Sequence, residues 1–213
     1  MEPQRTPWVV GVSGASGTPY AAAILRGLFA AGEAVDLVVS RAARLTLLDE
    51  NGSPFRDGYW QEDLAKWLRT PDGFPVDGDV RYWPAGDLAA GPSSGSYRTR
   101  GMIVVPASTA ACAGIALGLS KDLLQRAAEV NLKERRRVVI VPRETPVTRS
   151  HLLHLVELID AGAVVLPASP GFYGSGADAT GQQLIDFVAG KVLDAAGVPN
   201  TLLTRWTGEL GTR

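Results

Sequence analysis

The sequence predicts an α/β fold, one doubly wound parallel sheet with helices on both faces. Two observations carry this: five apolar runs of strand length without polar alternation, and helical patterns lying between them. Strands buried on both faces read as unbroken Val/Ile/Leu, and parallel neighbours need helical crossovers. Size agrees, since 213 residues, 46% of them apolar, suffice for one full core.

The elements follow in order. A strand over 8–12 (Trp-Val-Val-Gly-Val) enters the turn "GVSGASGTPY" of residues 11–20, and a helix is expected over 20–31. A second strand, 35–39, leads through Ser40 into a helix over 41–50. Residues 51–100 break the rhythm with Gly, Pro, Asp and Trp, and read as short elements plus variable loops, not a second domain. Strands over 102–106, 138–142 and 163–167 follow, with helices over 110–117, 121–135, 150–161 and 181–196. The whole is a single Rossmann-like (flavodoxin-like) domain over 1–213, with 1–7 a flexible N-terminus and 200–213 a C-terminal segment.

Composition excludes several classes. A formal net charge of −1 argues against a broad basic face for nucleic acid. One cysteine, Cys112, precludes an intrachain disulfide or a cysteine metal cluster and suits a reducing cytoplasm. Residues 1–7 hold no signal-peptide core, and no apolar run reaches membrane-spanning length.

In doubly wound sheets ligands bind beyond the carboxyl ends of the strands, so the residues just after each run are the candidates. After the first strand, Gly14, Ala15 and Ser16 offer close backbone approach and a helix N-terminus open to an anion. The spacing Gly11-x-x-Gly14-x-x-Gly17 matches neither the dinucleotide fingerprint nor a P-loop, so tight strand–helix packing stands beside the anion reading. Ser40 reads as a helix cap. Ser108, Thr109, Ala110 and Ala111 form a second anion-accepting turn, and Arg143-Glu144 pairs a cation with a proton acceptor at the next strand end. Arg126 and Lys133, seven apart, share one helix face, ordinarily a solvated stripe. His151 and His154 read as solvent-facing residues of a helix, two ligands with no third for a metal.

Five segments in this order and spacing, "GASG", "VPASTAACAGIALGLSKDLLQRAAEVNLKERR", "VPRETP", "GAVVLPASPGFY" and "DFVAGKVLDAAGVP", resemble the UbiX-type flavin prenyltransferases from about residue 9 to 206. The resemblance implies a Rossmann-like homo-oligomer, a dodecamer in the family, that needs no metal. It implies reduced FMN as the acceptor of a dimethylallyl group from dimethylallyl phosphate. The bonds form at flavin N5 and C6, and the prenylated FMN serves a UbiD-type decarboxylase. By family position Gly14, Ala15, Ser16, Ser40, Ser108, Thr109, Ala110, Ala111 and Arg143 hold FMN. Arg126, Lys133, Tyr173, Lys191 and Trp206 surround the prenyl phosphate. Ser16, Glu50 and Glu144 handle protons, with Glu144 as the base. Leu88 stands where the family has Trp, with Tyr97 a candidate replacement; Asp122, Gly174 and Lys191 replace the family's Asn, His and Arg. The alternatives are an FMN-dependent cysteine decarboxylase and a non-catalytic flavin carrier. The partner decarboxylase and the choice between monophosphate, pyrophosphate or a longer donor stay open.

Overall fold

A computed structural model of the protein describes residues 5–69, 77–172, 176, 178–205 and 208. Among the described residues six strands form one sheet in the order β3-β2-β1-β4-β5-β6, every neighbouring pair parallel. They are β1 Trp8–Val12, β2 Val35–Val39, β3 Val80–Pro84, β4 Gly101–Ala107, β5 Arg137–Pro142 and β6 Val164–Val165. The helices are α1 Thr18–Ala30, α2 Arg41–Asn51, α3 Trp60–Trp67, α4 Thr109–Ala116, α5 Leu123–Lys133, α6 Arg149–Asp160 and α7 Gly181–Ala196. The doubly wound parallel sheet expected from the sequence is the one observed.

Strand alternation divides the core between two faces. Val10, Val12, Leu37, Val39, Ile103 and Val105 turn toward α1 and α7. Val9, Val38, Met102, Val104, Val138 and Ile140 turn toward α4, α5 and the inner edge of α6. Burial on both sides explains why these strands are mostly apolar, with buried Asp36 of β2 the exception that Arg5 and Tyr97 satisfy. The strand order reverses between β1 and β4, so their carboxyl ends open the crevice in which such folds bind ligands.

The structure departs from the expected elements in three places, one of them the last strand, expected over 163–167 and observed only at Val164–Val165. Residues 51–100 contribute a sixth strand, β3, at the sheet edge next to β2. Its sequence, Val-Arg-Tyr-Trp-Pro, lacks an apolar run because only Tyr82 is buried there. Residues 5–7, expected to be flexible, are pinned. The Arg5 guanidinium donates to Asp36 at 2.6 Å, to Asp79 at 3.0 Å and to the Val35 carbonyl at 2.8 Å.

Candidate functional site

One buried serine ties the strand ends at the crevice together. Ser13 follows β1 and is 2% exposed. Its hydroxyl donates to the Pro106 carbonyl at 2.8 Å and accepts from the Ser108 amide at 2.7 Å. The Ser40 amide donates to the Val12 carbonyl, and the Arg143 amide to the Ala107 carbonyl. The exits of β1, β2, β4 and β5 are thus stitched into one rim. Ser40 and Ser108 cap α2 and α4, their hydroxyls accepting from Ala43 N at 3.1 Å and Ala111 N at 3.2 Å.

The glycine turn holds an anion, and that anion belongs to the protein. Glu50, in the last turn of α2, accepts from the Gly17 amide at 2.9 Å, the Thr18 amide at 2.8 Å and the Thr18 hydroxyl at 2.5 Å. It also accepts from the Ser16 hydroxyl. Burial alone would raise its pKa, but these hydrogen bonds, led by those of Thr18 and Ser16, outweigh it and hold the carboxyl below the ordinary glutamate range. Gly17 takes φ +123°, which only glycine adopts readily, to aim its amide at this carboxylate. Gly14 lies so close to α2 that a Cβ there would sit 2.4 Å from that of Ala42.

Two clefts flank the Ser108–Ala111 turn. The first, about 180 Å³, is lined by Ser13, Gly14, Ser40, Ser108, Ala110 and Ala111, with Arg41, Ala42 and the start of α5 completing it. Here the N-termini of α2 and α4 converge, and each leaves backbone amides without intrahelical partners. The second, about 150 Å³, is mostly apolar and is lined by Thr109, Cys112, Glu144, His151, Leu152 and Leu155, among others. Burial pushes the Cys112 thiol up to about 12, so it stays neutral. The Glu144 side chain is exposed at the mouth and accepts from its neighbour's amide, Thr145 N, at 3.0 Å. Of the sequence-predicted residues, Gly14, Ser40, Ser108, Thr109, Ala110, Ala111 and Glu144 therefore line adjoining hollows. Ala15 is buried beneath the rim and Arg143 is half-buried at the end of β5.

The basic residues are not gathered by a single chain. α5 starts at the first cleft, with Asp122 capping it by accepting from Gln125 N at 2.9 Å. At 1.5 Å per residue, Lys133 at its far end is about 16 Å from the rim. There it pairs with Glu134 at 2.5 Å. Arg126, nearer the rim, donates to the Ser93 carbonyl and pairs with Glu129. Lys191 is exposed on α7, across the sheet from α5. Tyr173 and Trp206, with Gly174, lie outside the described residues. Tyr97 does not replace the family's tryptophan: its hydroxyl donates at 2.7 Å to Asp36, buried near the start of β2. Leu88 is half exposed.

Sequence reasoning missed Ser13, although it stands in the quoted turn, because its partners are some 93 and 95 residues away. It also placed both histidines in solvent. His151 instead lines the second cleft, and His154 Nδ1 is buried.

The Flavoprotein family model matches residues 1–193. The flavin prenyltransferase UbiX of Streptomyces coelicolor is 66% identical over 211 residues, covering 96% of this chain and 97% of that protein. The crystal structure of AnUbiX (PadA1) in complex with FMN and dimethylallyl pyrophosphate superposes with a TM-score of 0.81 at 34% identity, covering 97% of this chain and 100% of that one. A dodecameric FMN-dependent UbiX-like decarboxylase from Escherichia coli O157:H7 superposes with a TM-score of 0.80 at 34% identity, over 95% and 100% of the chains. This chain belongs to the Flavoprotein family and, within it, to the UbiX flavin prenyltransferases.

Proposed function

We propose that the chain joins a dimethylallyl group from dimethylallyl phosphate to N5 and C6 of reduced FMN, and that the prenylated FMN passes to a UbiD-type decarboxylase. The observation that carries this reading is the juxtaposition, across one four-residue turn, of an amide-lined cleft with an apolar one that has a carboxylate at its mouth. The donor set fits FMN: converging helix N-termini suit its phosphate, and the Gly14–Ala15 rim admits a flat ring without side chains in the way. Bound reduced FMN supplies the electron-rich ring that is alkylated.

The chain's residues supply binding, charge and proton transfer. Ser40 and Ser108–Ala111 hold the flavin through cap hydroxyls and free amides, and Arg143 adds positive charge. Glu144 accepts the proton lost from C6. Glu50 stays ionised under its hydrogen bonds, so it orients the Ser16 hydroxyl and leaves Ser16 as the group that meets the flavin edge. Arg126, Lys133, Lys191 and Tyr173 stabilise the departing phosphate, whose charge grows in the transition state. Because α5 and α7 hold these cations apart in one chain, the donor site in this reading forms between copies, in line with the dodecameric relative. Trp206 and Tyr173 give an allylic cation aromatic faces. Among the described residues no helix is long and apolar enough to cross a membrane. Its single cysteine, free and buried, supports a cytoplasmic setting for the chain.

The test is anaerobic incubation of the protein with FMN, a reductant and dimethylallyl phosphate or pyrophosphate, read by mass. Wild type returns flavin heavier by one five-carbon prenyl unit, and Glu144→Gln binds FMN but yields no mature product. Unmodified flavin from the wild type with either donor identifies a carrier. Turnover of a cysteinyl peptide in its place identifies a cysteine decarboxylase.

A further inference from the structure

We propose that His151 is a positioning residue for Glu144: its neutral imidazole clamps the loop that carries Glu144, and protonation of that ring releases the loop. The proposal rests on the reading of Glu144 as the base.

The loop runs from the end of β5 to the N-cap of α6, and residues 144–148 are all exposed, so burial does little to fix it. Its first anchor is the Arg143 amide on the Ala107 carbonyl at 3.2 Å. Its last is a reciprocal cap. The Thr148 hydroxyl accepts from His151 N at 3.3 Å, and the Thr148 amide donates to His151 Nδ1 at 3.2 Å. Glu144 sits between these anchors.

The same protein shows what the ordinary version of this device looks like. At α7 the Thr180 hydroxyl accepts from Gln183 N at 3.3 Å, while the Thr180 amide donates to Gln183 Oε1 at 2.8 Å. Glutamine is a usual partner in this reciprocal cap and does not titrate. Histidine in the same place does. Nδ1 accepts only while unprotonated, which puts the ring proton on Nε2; an imidazolium has two donors and no acceptor, so it cannot receive the Thr148 amide. Substitution of histidine for glutamine makes the α6 cap conditional on pH, and it does so at the helix that ends the Glu144 loop and not at α7.

The ring's titratable surroundings come from the cleft, the loop and α6 itself. His151 lines the apolar cleft together with Thr109, Cys112 and Glu144. Among the described residues, α4 presents Cys112, whose thiol is kept neutral by burial, and β6 presents no titratable group. The loop carries Arg143 and Glu144, and α6 itself carries Arg149, His154, Glu157 and Asp160.

Two measurements on His151→Leu and His151→Gln test the clamp. The first is amide hydrogen exchange across residues 143–148 of the flavin-free protein, which reads the loop without catalysis. Exchange should quicken about tenfold in His151→Leu, the scale of a lost cap, and return to the wild-type rate in His151→Gln. The second is the pH profile of prenyl transfer. kcat should fall about tenfold in His151→Leu with donor KM near wild type, because the donor's ground-state binding does not use Glu144. Wild type should show an acid limb, and His151→Gln should restore kcat near neutral pH and lack that limb. Wild-type exchange in His151→Leu, no rescue by glutamine, or quickened exchange with unaltered kcat would each overturn the proposal. Glu144→Gln, run in parallel, separates these failures from that of the underlying reading, since full activity there removes Glu144 itself as the base.

Discussion

Glu50 occupies the place where an incoming anion was one expectation from the sequence. The turn GASGT does bind negative charge, and the positive end of α1 does attract it, but the ligand is a carboxylate supplied by the last turn of α2. The consequence is measurable. Since its folded-state pKa lies below the unfolded value, Glu50 stabilises the fold fully above the ordinary glutamate range, and that contribution disappears as pH falls through the lowered folded value. Glu50→Gln should therefore lower stability by about 1–2 kcal/mol at pH 7, the scale of charge-assisted hydrogen bonds at a partly exposed site. In chemical denaturation the gap between variant and wild type should start to narrow at about pH 4, where an ordinary glutamate takes up its proton, and close only beneath the lowered folded value. An equal gap at pH 3 and pH 7 would show that the charge plays no part. The residue type was legible in the sequence, but its partner was not. A hydrogen bond between positions 33 apart has no periodic trace, and only the fold brings α2's last turn under α1's first.

Elements were the most legible scale, for reasons visible in particular strands. β1 and β2 have the bounds read from the sequence because Trp8–Val12 and Val35–Val39 are buried at every position, and a largely apolar run without polar alternation is the signature of that environment. β3 escaped notice because it is an edge strand with only Tyr82 buried and a terminal proline. The caps at Ser40 and Ser108 were readable as hydroxyls just before helical patterns, whereas Ser13, equally small and polar, does a different task inside the rim. Its removal tests whether the strand ends are mechanically joined. Ser13→Ala leaves the Ser108 amide short of a buried partner, while the Pro106 carbonyl keeps the Ser13 amide at 3.2 Å, at a cost of about 2 kcal/mol. For a protein of this size that cost should appear as a Tm lower by roughly 6 °C, together with weaker FMN binding. A Tm drop with unchanged FMN affinity would confine Ser13 to stability.

At the scale of the whole molecule, the sheet order places the crevice, and the crevice places the chemistry. Reversal between β1 and β4 brings the turns after both strands side by side, with those after β2 and β5 flanking them. This is why sequence positions as distant as Gly14, Ser40, Ser108 and Glu144 line adjoining hollows. The spread of Arg126, Lys133 and Lys191 over opposite faces follows from the same winding, which sends α5 and α7 to different sides. A sequence lists cations but not the face on which each helix lands, so their separation was not legible. It also gives no account of what covers α6, whose Leu152, Leu153, Val156 and Ile159 remain exposed in one chain.

If these strand-end turns converge on one flavin site, a crystal structure of the protein grown with FMN will show it. The account predicts the phosphate among the N-terminal amides of α2 and α4, the ring along Gly14–Ser16, and Glu144 at the ring's edge. Flavin bound elsewhere, or with Ser40, Ser108 and Arg143 all clear of it, would contradict it.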